Sequence, residues 1–185
     1  MKTTIIPTPL KDLLVIKVDY FEDQRGFFIE PWHKKDFHLA GLDLEFVQEG
    51  HSRSGSKVVR GIHYQDMRAP MAKLIRCTVG EIFDIALDLR ISSKTFGKWF
   101  GIKLSAKNKL QLFVPVGFGH GFAALTKTVE VQYKQTGFYL PESEGTIAWD
   151  DPDIDIAWPF KNPLLSKRDQ QGKSLKEYLR NPAFK

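Results

Sequence analysis

The sequence predicts a mainly β domain, an antiparallel barrel or double-sheet jelly roll with a few short helices. Two observations support this: many short apolar or alternating runs at even spacing, and turns rich in Gly, Pro and polar residues between them. The clearest run is Glu81 to Leu89, where Phe83, Ile85 and Leu87 alternate with Asp or Ala, the period of a half-buried strand. The other predicted strands are Leu13–Val18, Phe27–Ile29, Val58–His63, Ala72–Thr78, Phe100–Leu104, Leu110–Val114 and Val129–Tyr133.

Local signals predict the remaining elements. Gly80 marks a tight hairpin between two of the strands, and Lys34–Leu39 is compatible with one helical turn or two. Ser174 to Glu177 fits a capping box that opens a C-terminal helix. That helix would carry an apolar face, which we expect to pack on the outside of the barrel, made of Leu175, Tyr178 and Leu179.

Length and composition predict a single domain over residues 1–185, large enough to bury a core. No apolar run reaches the roughly 18 residues of a membrane span, and no signal-peptide pattern follows Met1. The one cysteine, Cys77, excludes an internal disulfide and lies among apolar residues, which indicates a buried thiol. We therefore expect a cytoplasmic protein with no membrane partner.

The formal charge of +5 is concentrated near the C-terminus. Residues 161–185 carry seven Lys or Arg against two acidic residues, and the rest of the chain is balanced. Nucleic-acid binding requires basic residues clustered on one face with aromatics between them. We interpret the segment as a solvated, partly helical tail and expect no nucleic-acid partner.

Two blocks, Arg60–Gln65 and Pro115–His120, resemble the signature blocks of a cupin barrel, the double-stranded β-helix form of the jelly roll. In metal-binding cupins the first block holds two histidines, followed by a glutamate. Here Gln65 takes the place of the second histidine, and Ala69 and Pro70 stand where the glutamate would be. A first-row metal needs about three firmly held ligands. The sequence thus predicts no metal and no cofactor, and it points to proton-transfer chemistry.

A lone histidine at the end of an apolar strand, as His63 is, more often serves packing than catalysis. The other polar residues of the predicted barrel favour a functional role for His63, because the strands assigned to it also carry Arg60, Lys73, His120 and Tyr133. Ionisable groups that point into a barrel are unfavourable unless they serve a ligand or each other. The barrel interior is therefore the candidate pocket.

Several of these assignments have alternatives. Strict alternation would put Arg60 and His63 on opposite faces, unless Gly61 marks a bulge. Lys73 could instead blunt an edge strand. Either of two strand carboxylates, Asp84 or Asp88, could orient a histidine. Tyr133 could be an ordinary core tyrosine, and Asp169 a residue of a solvated turn.

Five motifs occur in one order along the chain: Arg25-Gly26-x-Phe28-x-Glu30, Gln48 with His51-Ser52-x-Ser54, the Arg60–Gln65 block, Pro115 to Gly121, and Glu144-Gly145 with Trp149-Asp150-Asp151. Together they resemble the dTDP-4-dehydrorhamnose 3,5-epimerase family, from about Leu10 to Asp169. The resemblance implies a metal-free homodimer that acts on dTDP-4-dehydro-6-deoxy-D-glucose. The reaction inverts C3 and C5 beside the C4 ketone.

The resemblance also implies roles. His63 matches the general base and Asp169 its orienting partner, Tyr133 matches the acid, and Lys73 matches the residue that stabilises the enolate at O4. The substrate-binding positions, with Tyr139 and Phe28 as aromatic contacts to the thymine, are Arg25, Phe28, Glu30, Gln48, Glu49, Gly50, Arg60, His120, Tyr139, Glu144 and Arg168.

From the same resemblance we expect strands within residues 1–49 to be shared across the dimer. The helical tail over residues 161–185 is predicted from the sequence itself. Two departures stand out. Gly50 replaces the asparagine usual in the family, and Arg168 replaces the lysine before the aspartate, which keeps the charge but changes its geometry.

Three other functions remain open from the sequence. A related nucleotide-sugar ketoisomerase or single-site epimerase would use the same groups on another substrate or carbon. A metal cupin dioxygenase would need the missing ligands. A non-catalytic carbohydrate-binding barrel would leave a base, a cation and a phenol in one cavity unexplained.

Overall fold

Two antiparallel β-sheets face each other in a computed structural model that describes residues 1–185. The first sheet has the strand order β1-β2-β10-β7-β12-β5, the second β13-β6-β11-β8-β9, and β3 and β4 form a separate hairpin. The predicted jelly roll is confirmed. The strands are β1 Thr3–Pro7, β2 Leu14–Val18, β3 Phe21–Asp23, β4 Gly26–Phe28, β5 Gln48–Gly55, β6 Val59–Gln65, β7 Lys73–Val79, β8 Glu81–Asp88, β9 Trp99–Ser105, β10 Gln111–Val114, β11 Phe118–Ala124, β12 Thr128–Gln135 and β13 Glu144–Thr146.

Every predicted strand is present to within two residues at each end, and the tight hairpin at Gly80 joins β7 to β8. The two helices are short, α1 at Lys34–Leu39 as predicted and α2 at Leu175–Arg180. Two 3-10 turns lie at Pro141–Ser143 and Asp169–Gln171. Neither α-helix combines the length and apolar character that a membrane crossing requires.

Strand β5 has no counterpart in the sequence-based assignment, because its residues are polar or glycine and show no apolar alternation. Its backbone nevertheless pairs with β12 along its whole length, from Gln48 opposite Gln135 to Gly55 opposite Thr128. A strand with this composition is stable because its neighbour supplies the hydrogen bonds. No range was predicted for strands β1, β3, β11 and β13 either, although His120 of β11 was assigned to a strand.

The main core fills one end of the space between the sheets. Ile75 and Val131 from the first sheet meet Ile82, Leu104 and Phe122 from the second, within a cluster of 15 buried residues. Cys77 belongs to this cluster, so the predicted buried thiol is confirmed. Apolar packing closes this end of the barrel and leaves the opposite end for polar side chains.

The prediction that β8 is half-buried is wrong, because both of its faces are covered. Ile82 packs into the core between the sheets, whereas Ile85 and Leu87 point outward into a second cluster that includes Leu175 and Tyr178. The segment from β13 onward covers the outer face of the second sheet. A single strand's pattern cannot reveal a cover supplied by a distant segment.

Residues 161–185 are mostly exposed, but the same packing anchors part of this tail to the barrel. Helix α2 begins with the predicted capping box between Ser174 and Glu177 and packs on the outside of the barrel, as expected. Tyr178 is buried and donates its hydroxyl to the Leu89 carbonyl at 2.8 Å. Leu179, expected on the packed face, is 49% exposed. The short helix buries only the stripe that its i and i+3 positions form.

Candidate active site

A cavity of about 370 Å³ opens between the two sheets at the end opposite the apolar core. Its size is in the range of small-molecule sites, and both sheets contribute to its walls. The lining residues are Gln48, Gly50, Ser52, Arg60, His63, Tyr64, Gln65, Met71, Lys73, His120, Phe122, Tyr133, Gln135, Tyr139, Glu144 and Arg168.

A bulge in β6 lets that strand present both Arg60 and His63 to the cavity. His63 pairs with His120 and Arg60 with Phe122, so β6 has one residue more than β11 between these pairs. Gly61 occupies the bulge with φ +109°, and a Cβ there would lie 2.5 Å from the His120 carbonyl oxygen. Only glycine fits this position. The proposed bulge is thus confirmed.

His63 forms a short hydrogen bond with Asp169, with 2.5 Å between Nε2 and Oδ1. Asp169 lies in the 3-10 turn that follows the loop 164–168, and its side chain is 3% exposed. Because a carboxylate only accepts, the proton on this edge belongs to Nε2, which leaves the lone pair on Nδ1. The pair fixes one tautomer of the imidazole and orients the ring.

The electrostatics of this pair favour a neutral imidazole next to a charged carboxylate. Burial lowers the pKa of His63 below its ordinary 6.5, and the bond and charge of Asp169 oppose this only in part. Burial acts to raise the pKa of Asp169, but the bond and charge of His63 hold it below its ordinary value. At neutral pH His63 is in the form that a general base needs.

Lys73, the first residue of β7, supplies a cation inside the cavity. Burial lowers its pKa from 10.5 to about 8, and the negative charges of Glu144 and Asp84 oppose this shift. The ammonium group therefore remains mostly charged at neutral pH. A cation in such a water-poor position is suited to stabilise a developing oxyanion.

A second histidine–aspartate pair lies beside the first, since His120 faces His63 across β11 and β6. His120 Nε2 is 2.8 Å from Asp84 Oδ1, and Asp84 is fully buried. Of the two strand aspartates considered from the sequence, Asp84 is the one that orients a histidine. Asp88 instead bonds Arg90, Ser93 and Thr95.

Two glutamines hold the loop that carries Tyr139. Gln65 donates its amide to the Ala69 carbonyl at 2.8 Å and accepts from the backbone N–H of Leu140 at 2.7 Å. Gln48 accepts from the backbone N–H of Tyr139 at 3.0 Å. The residue at the position of the second histidine of metal cupins is thus a loop anchor here. No group of three or more His, Cys, Asp or Glu side chains is arranged to hold a metal ion.

The rim of the cavity is charged. Glu144 accepts a hydrogen bond from the Tyr139 hydroxyl at 2.9 Å and also pairs with Arg168. Another Arg168 nitrogen, Nη2, lies against the edge of the His63 ring, 2.9 Å from Nε2 and 3.3 Å from Nδ1. Arg60 is exposed and donates to the Ser54 hydroxyl at 2.9 Å. This rim presents guanidinium groups, which match phosphate oxygens.

Five expected residues are not among the residues that line the cavity. Asp169 lies behind His63, to which it is bonded, and the other four do not reach the cavity of their own chain. Arg25 and Phe28 belong to the β3–β4 hairpin, where Arg25 pairs with Asp23 and Phe28 is 62% exposed. Glu30 follows this hairpin and is also outside the cavity lining. Glu49 points to the other face of β5, so its carboxylate meets Lys134 at 2.5 Å.

The sequence reasoning missed six lining residues: Ser52, Tyr64, Gln65, Met71, Phe122 and Gln135. For five of them a signal was available, because each lies two positions from an expected residue and a strand repeats its face every two residues. Ser52, for example, follows Gly50, and its buried hydroxyl has no hydrogen-bond partner. Tyr64 is the exception, since its neighbours do not predict its face.

A jelly roll whose open end holds a paired histidine, a half-buried lysine and a phenol defines an acid–base enzyme on a cupin-like barrel. Comparison with known proteins specifies this class further. The model of the dTDP-4-dehydrorhamnose 3,5-epimerase family matches residues 7–177, and the chain belongs to this family.

Individual relatives agree. The dTDP-4-dehydrorhamnose 3,5-epimerase of Shigella flexneri is 48% identical over 169 residues, 91% of this chain and 93% of the relative. The crystal structure of dTDP-6-deoxy-D-glucose-3,5-epimerase from Legionella pneumophila, in complex with dTDP-4-keto-L-rhamnose, is 41% identical with a TM-score of 0.90. The superposition covers 94% of this chain and 93% of the Legionella chain. The crystal structure of dTDP-4-dehydrorhamnose 3,5-epimerase from Elizabethkingia anophelis is 43% identical with a TM-score of 0.89. The superposition covers 95% of this chain and 98% of that chain.

Proposed function

We propose that this protein inverts C3 and C5 of dTDP-4-dehydro-6-deoxy-D-glucose to give dTDP-4-dehydro-L-rhamnose. The observation that carries the proposal is that His63, Lys73 and Tyr133 line one cavity, with Asp169 bonded to His63 from behind. The names of the relatives and the ligand of the Legionella structure support the choice of substrate.

Proton removal begins at His63. Nδ1 takes the proton from the carbon beside the C4 ketone, and the electron pair of the C–H bond moves into an enolate whose charge is on O4. Lys73 stabilises that oxygen as the charge develops. Asp169 stabilises the imidazolium, which later returns its proton to solvent.

Inversion requires a proton from the opposite face of the sugar. His63 lies on a strand of the second sheet and Tyr133 on a strand of the first, so the two side chains lie on facing walls of the cavity. The Tyr133 hydroxyl protonates the enolate carbon, and the phenolate recovers a proton from solvent. The two halves of the reaction balance without any redox partner, and the same sequence at the second carbon completes the product.

The nucleotide is bound at the rim of the cavity. Arg60 and Arg168 are exposed guanidinium groups at the open end and suit the two phosphates. Tyr139 is 47% exposed, and its ring is available to stack on the thymine. His120, beside His63, is placed to bind the sugar.

The active form is a homodimer in which residues 1–49 of one chain reach the cavity of the other. This proposal is supported by the β3–β4 hairpin, where Phe21, Phe27 and Phe28 are 72%, 52% and 62% exposed. Such a patch is unusual on a monomer. Arg25, Phe28 and Glu30 are thereby the partner's contribution to each site. Each chain is a single cupin-type domain, with residues 161–185 docked on its own barrel.

Mixing two inactive variants tests this arrangement. Arg25→Ala lacks the proposed contribution to the partner, and His63→Ala lacks the base. In a mixed dimer one of the two cavities combines an intact His63 with an intact Arg25, so mixing restores activity that neither variant has alone. A fully active monomer in sedimentation, or no restoration after subunit exchange is shown by mass, would contradict the proposal.

The reaction itself is tested by incubating the protein with dTDP-4-dehydro-6-deoxyglucose in deuterium oxide and following C3 and C5 by NMR. The proposal expects deuterium at both carbons and inverted configuration at both. Inversion at C3 alone would indicate a single-site epimerase. Absence of any exchange would indicate a carbohydrate-binding barrel. The cytoplasmic location stays a prediction that fractionation of the source cells can test.

A further inference from the structure

We propose that Gly50 is a positioning residue for Tyr133, because its bare backbone forms the seat that fixes the phenol in the cavity wall. The inference rests on the proposed function and adds a residue that acts through the acid, not on the substrate.

The seat is the place on the cavity face of β5 where Gly50 has no side chain. Gln48, Gly50 and Ser52 lie on the same face of this strand and line the cavity. Gly50 pairs directly with Tyr133 of β12, and the Tyr133 ring lies over it. A Cβ at position 50 would be 2.4 Å from Cε2, 2.7 Å from Cζ and 2.9 Å from the hydroxyl oxygen of Tyr133. Non-bonded carbons prefer roughly 3.5–4.0 Å, so no other residue leaves the ring in place.

The backbone does not explain the glycine. Gly50 is absent from the glycines with positive φ, unlike Gly61 in the bulge, so any residue could adopt its conformation. Glycine within a strand is unfavourable for stability because it provides no side chain to pack. The glycine is explained by the Tyr133 ring, which occupies the space that a side chain at position 50 would need.

The atoms that would collide belong to the end of a side chain that faces an open cavity. Tyr133 is half-buried and lines this cavity, so the ring can move into it while β5 and β12 stay paired. An added methyl group is therefore expected to move the phenol and to leave the fold intact.

Moving the phenol separates the two halves of the reaction. The three atoms nearest to an added Cβ at position 50 all belong to Tyr133, so we expect removal of the proton and formation of the enolate to continue. Delivery of the proton from the Tyr133 hydroxyl to the opposite face loses its geometry, and a misplacement of about 1 Å lowers a rate by about a hundredfold. The His63 imidazolium exchanges its proton with solvent, and the enolate then recovers this solvent-derived proton on the original face.

The experiment compares wild type, Gly50→Ala and the matched control Gly55→Ala in deuterium oxide with dTDP-4-dehydro-6-deoxyglucose. Gly55 lies on the same strand pair, opposite Thr128, and an added Cβ there would meet nothing within 4 Å. For Gly50→Ala we expect inversion to fall about a hundredfold, while deuterium still enters substrate of unchanged configuration. Gly55→Ala should behave as wild type.

A double variant removes the remaining ambiguity. If Gly50 acts only through the phenol, Gly50→Ala adds no further loss of inversion to Tyr133→Phe, because residues that act as one unit are not additive. Equal ratios of inversion to exchange in Gly50→Ala and wild type would overturn the inference and leave the epimerase intact. Unfolding of Gly50→Ala would also overturn the inference, since the inference requires that the Tyr133 ring moves while the backbone of β5 and β12 stays in place. A wild type that inverts neither carbon would refute the proposed function itself.

Discussion

His63 and His120 lie on neighbouring strands and each is bonded to an aspartate, yet the surroundings of Asp169 and Asp84 shift their pKa values in opposite directions. The Asp169 carboxylate is bonded to His63 at Oδ1, and a side-chain hydrogen bond with Ser166 and the charge of Arg168 also favour its charged form. The bond and charge of His63 hold its pKa below the ordinary value, although burial acts to raise it. Asp84 bonds only His120, its second oxygen has no partner, and burial raises its pKa.

The comparison shows that the number of donors around a buried carboxylate decides whether it stays charged. The charged Asp169 can stabilise an imidazolium, as a base partner must. The less well satisfied Asp84 is better suited to hold a ring in place. Lys73 influences both pairs, because its positive charge lowers the pKa of His63 and opposes the rise at Asp84.

The largest expected effect separates the two histidines. His63→Ala removes the base, so inversion and deuterium uptake should both fall by about ten-thousandfold, the upper end for general acid–base catalysis. His120→Ala should keep deuterium exchange and mainly raise KM. If His63→Ala exchanges deuterium at the wild-type rate, the roles of the two pairs are assigned wrongly.

The next effect concerns the cation near both pairs. Lys73→Met removes the stabilisation of the enolate oxygen, for which about 3 kcal/mol is typical, a loss of between a hundred- and a thousandfold in kcat. In the wild type, kcat/KM should fall as pH rises through about 8, because Lys73 is depressed to that pKa and loses its charge there. The residual activity of Lys73→Met should lack this basic limb, and a limb at the same pH in both proteins would refute the assignment.

Asp169→Asn should lower kcat by about a hundredfold, less than loss of the base itself. The carboxylate raises the pKa of His63 against the effect of burial, so its neutralisation lowers that pKa further. The acid limb of kcat/KM reports the free base and lies below 6.5 in the wild type. In the variant it should move to lower pH, and a shift to higher pH would contradict the structure.

The smallest catalytic effect is expected for Asp84→Asn, whose signature is in stability. A carboxyl group with a raised folded-state pKa adds stability that is fully present below its unfolded pKa and is lost as pH rises through the folded value. The free energy of unfolding of the wild type minus that of Asp84→Asn should therefore decrease from pH 4 to pH 8. Urea unfolding at both values measures it, and an increase would mean that Asp84 is stabilised in its charged form.

Apolar periodicity was sufficient to predict most strands. The glycine between Arg60 and His63 was sufficient to predict the bulge that directs His63 into the cavity. Apolar periodicity failed at β5, where Gly50 and Ser52 face a polar cavity and leave no apolar pattern. The same periodicity, applied strictly, would have placed Glu49 on the outer face, where the structure has it.

The pairing of His63 with Asp169 could not come from local pattern, because 106 positions separate the two residues. Only the resemblance to a family suggested it. The seat of Tyr133 on Gly50 was hidden for a different reason. A glycine in a sequence records the absence of a side chain but not which neighbour uses the space.

Asp169 reaches His63 as part of the segment that wraps the outer face of the second sheet, which is tied to the barrel by bridges at Val58–Leu164 and Ile147–Lys173. We expect this segment to open as a local unit while the sheets remain paired, since isolated bridges and not a continuous ladder attach it. Heat inactivation should therefore begin below the temperature at which the barrel melts. Cooling should restore full activity, because the intact barrel is the template on which the catalytic pair reassembles.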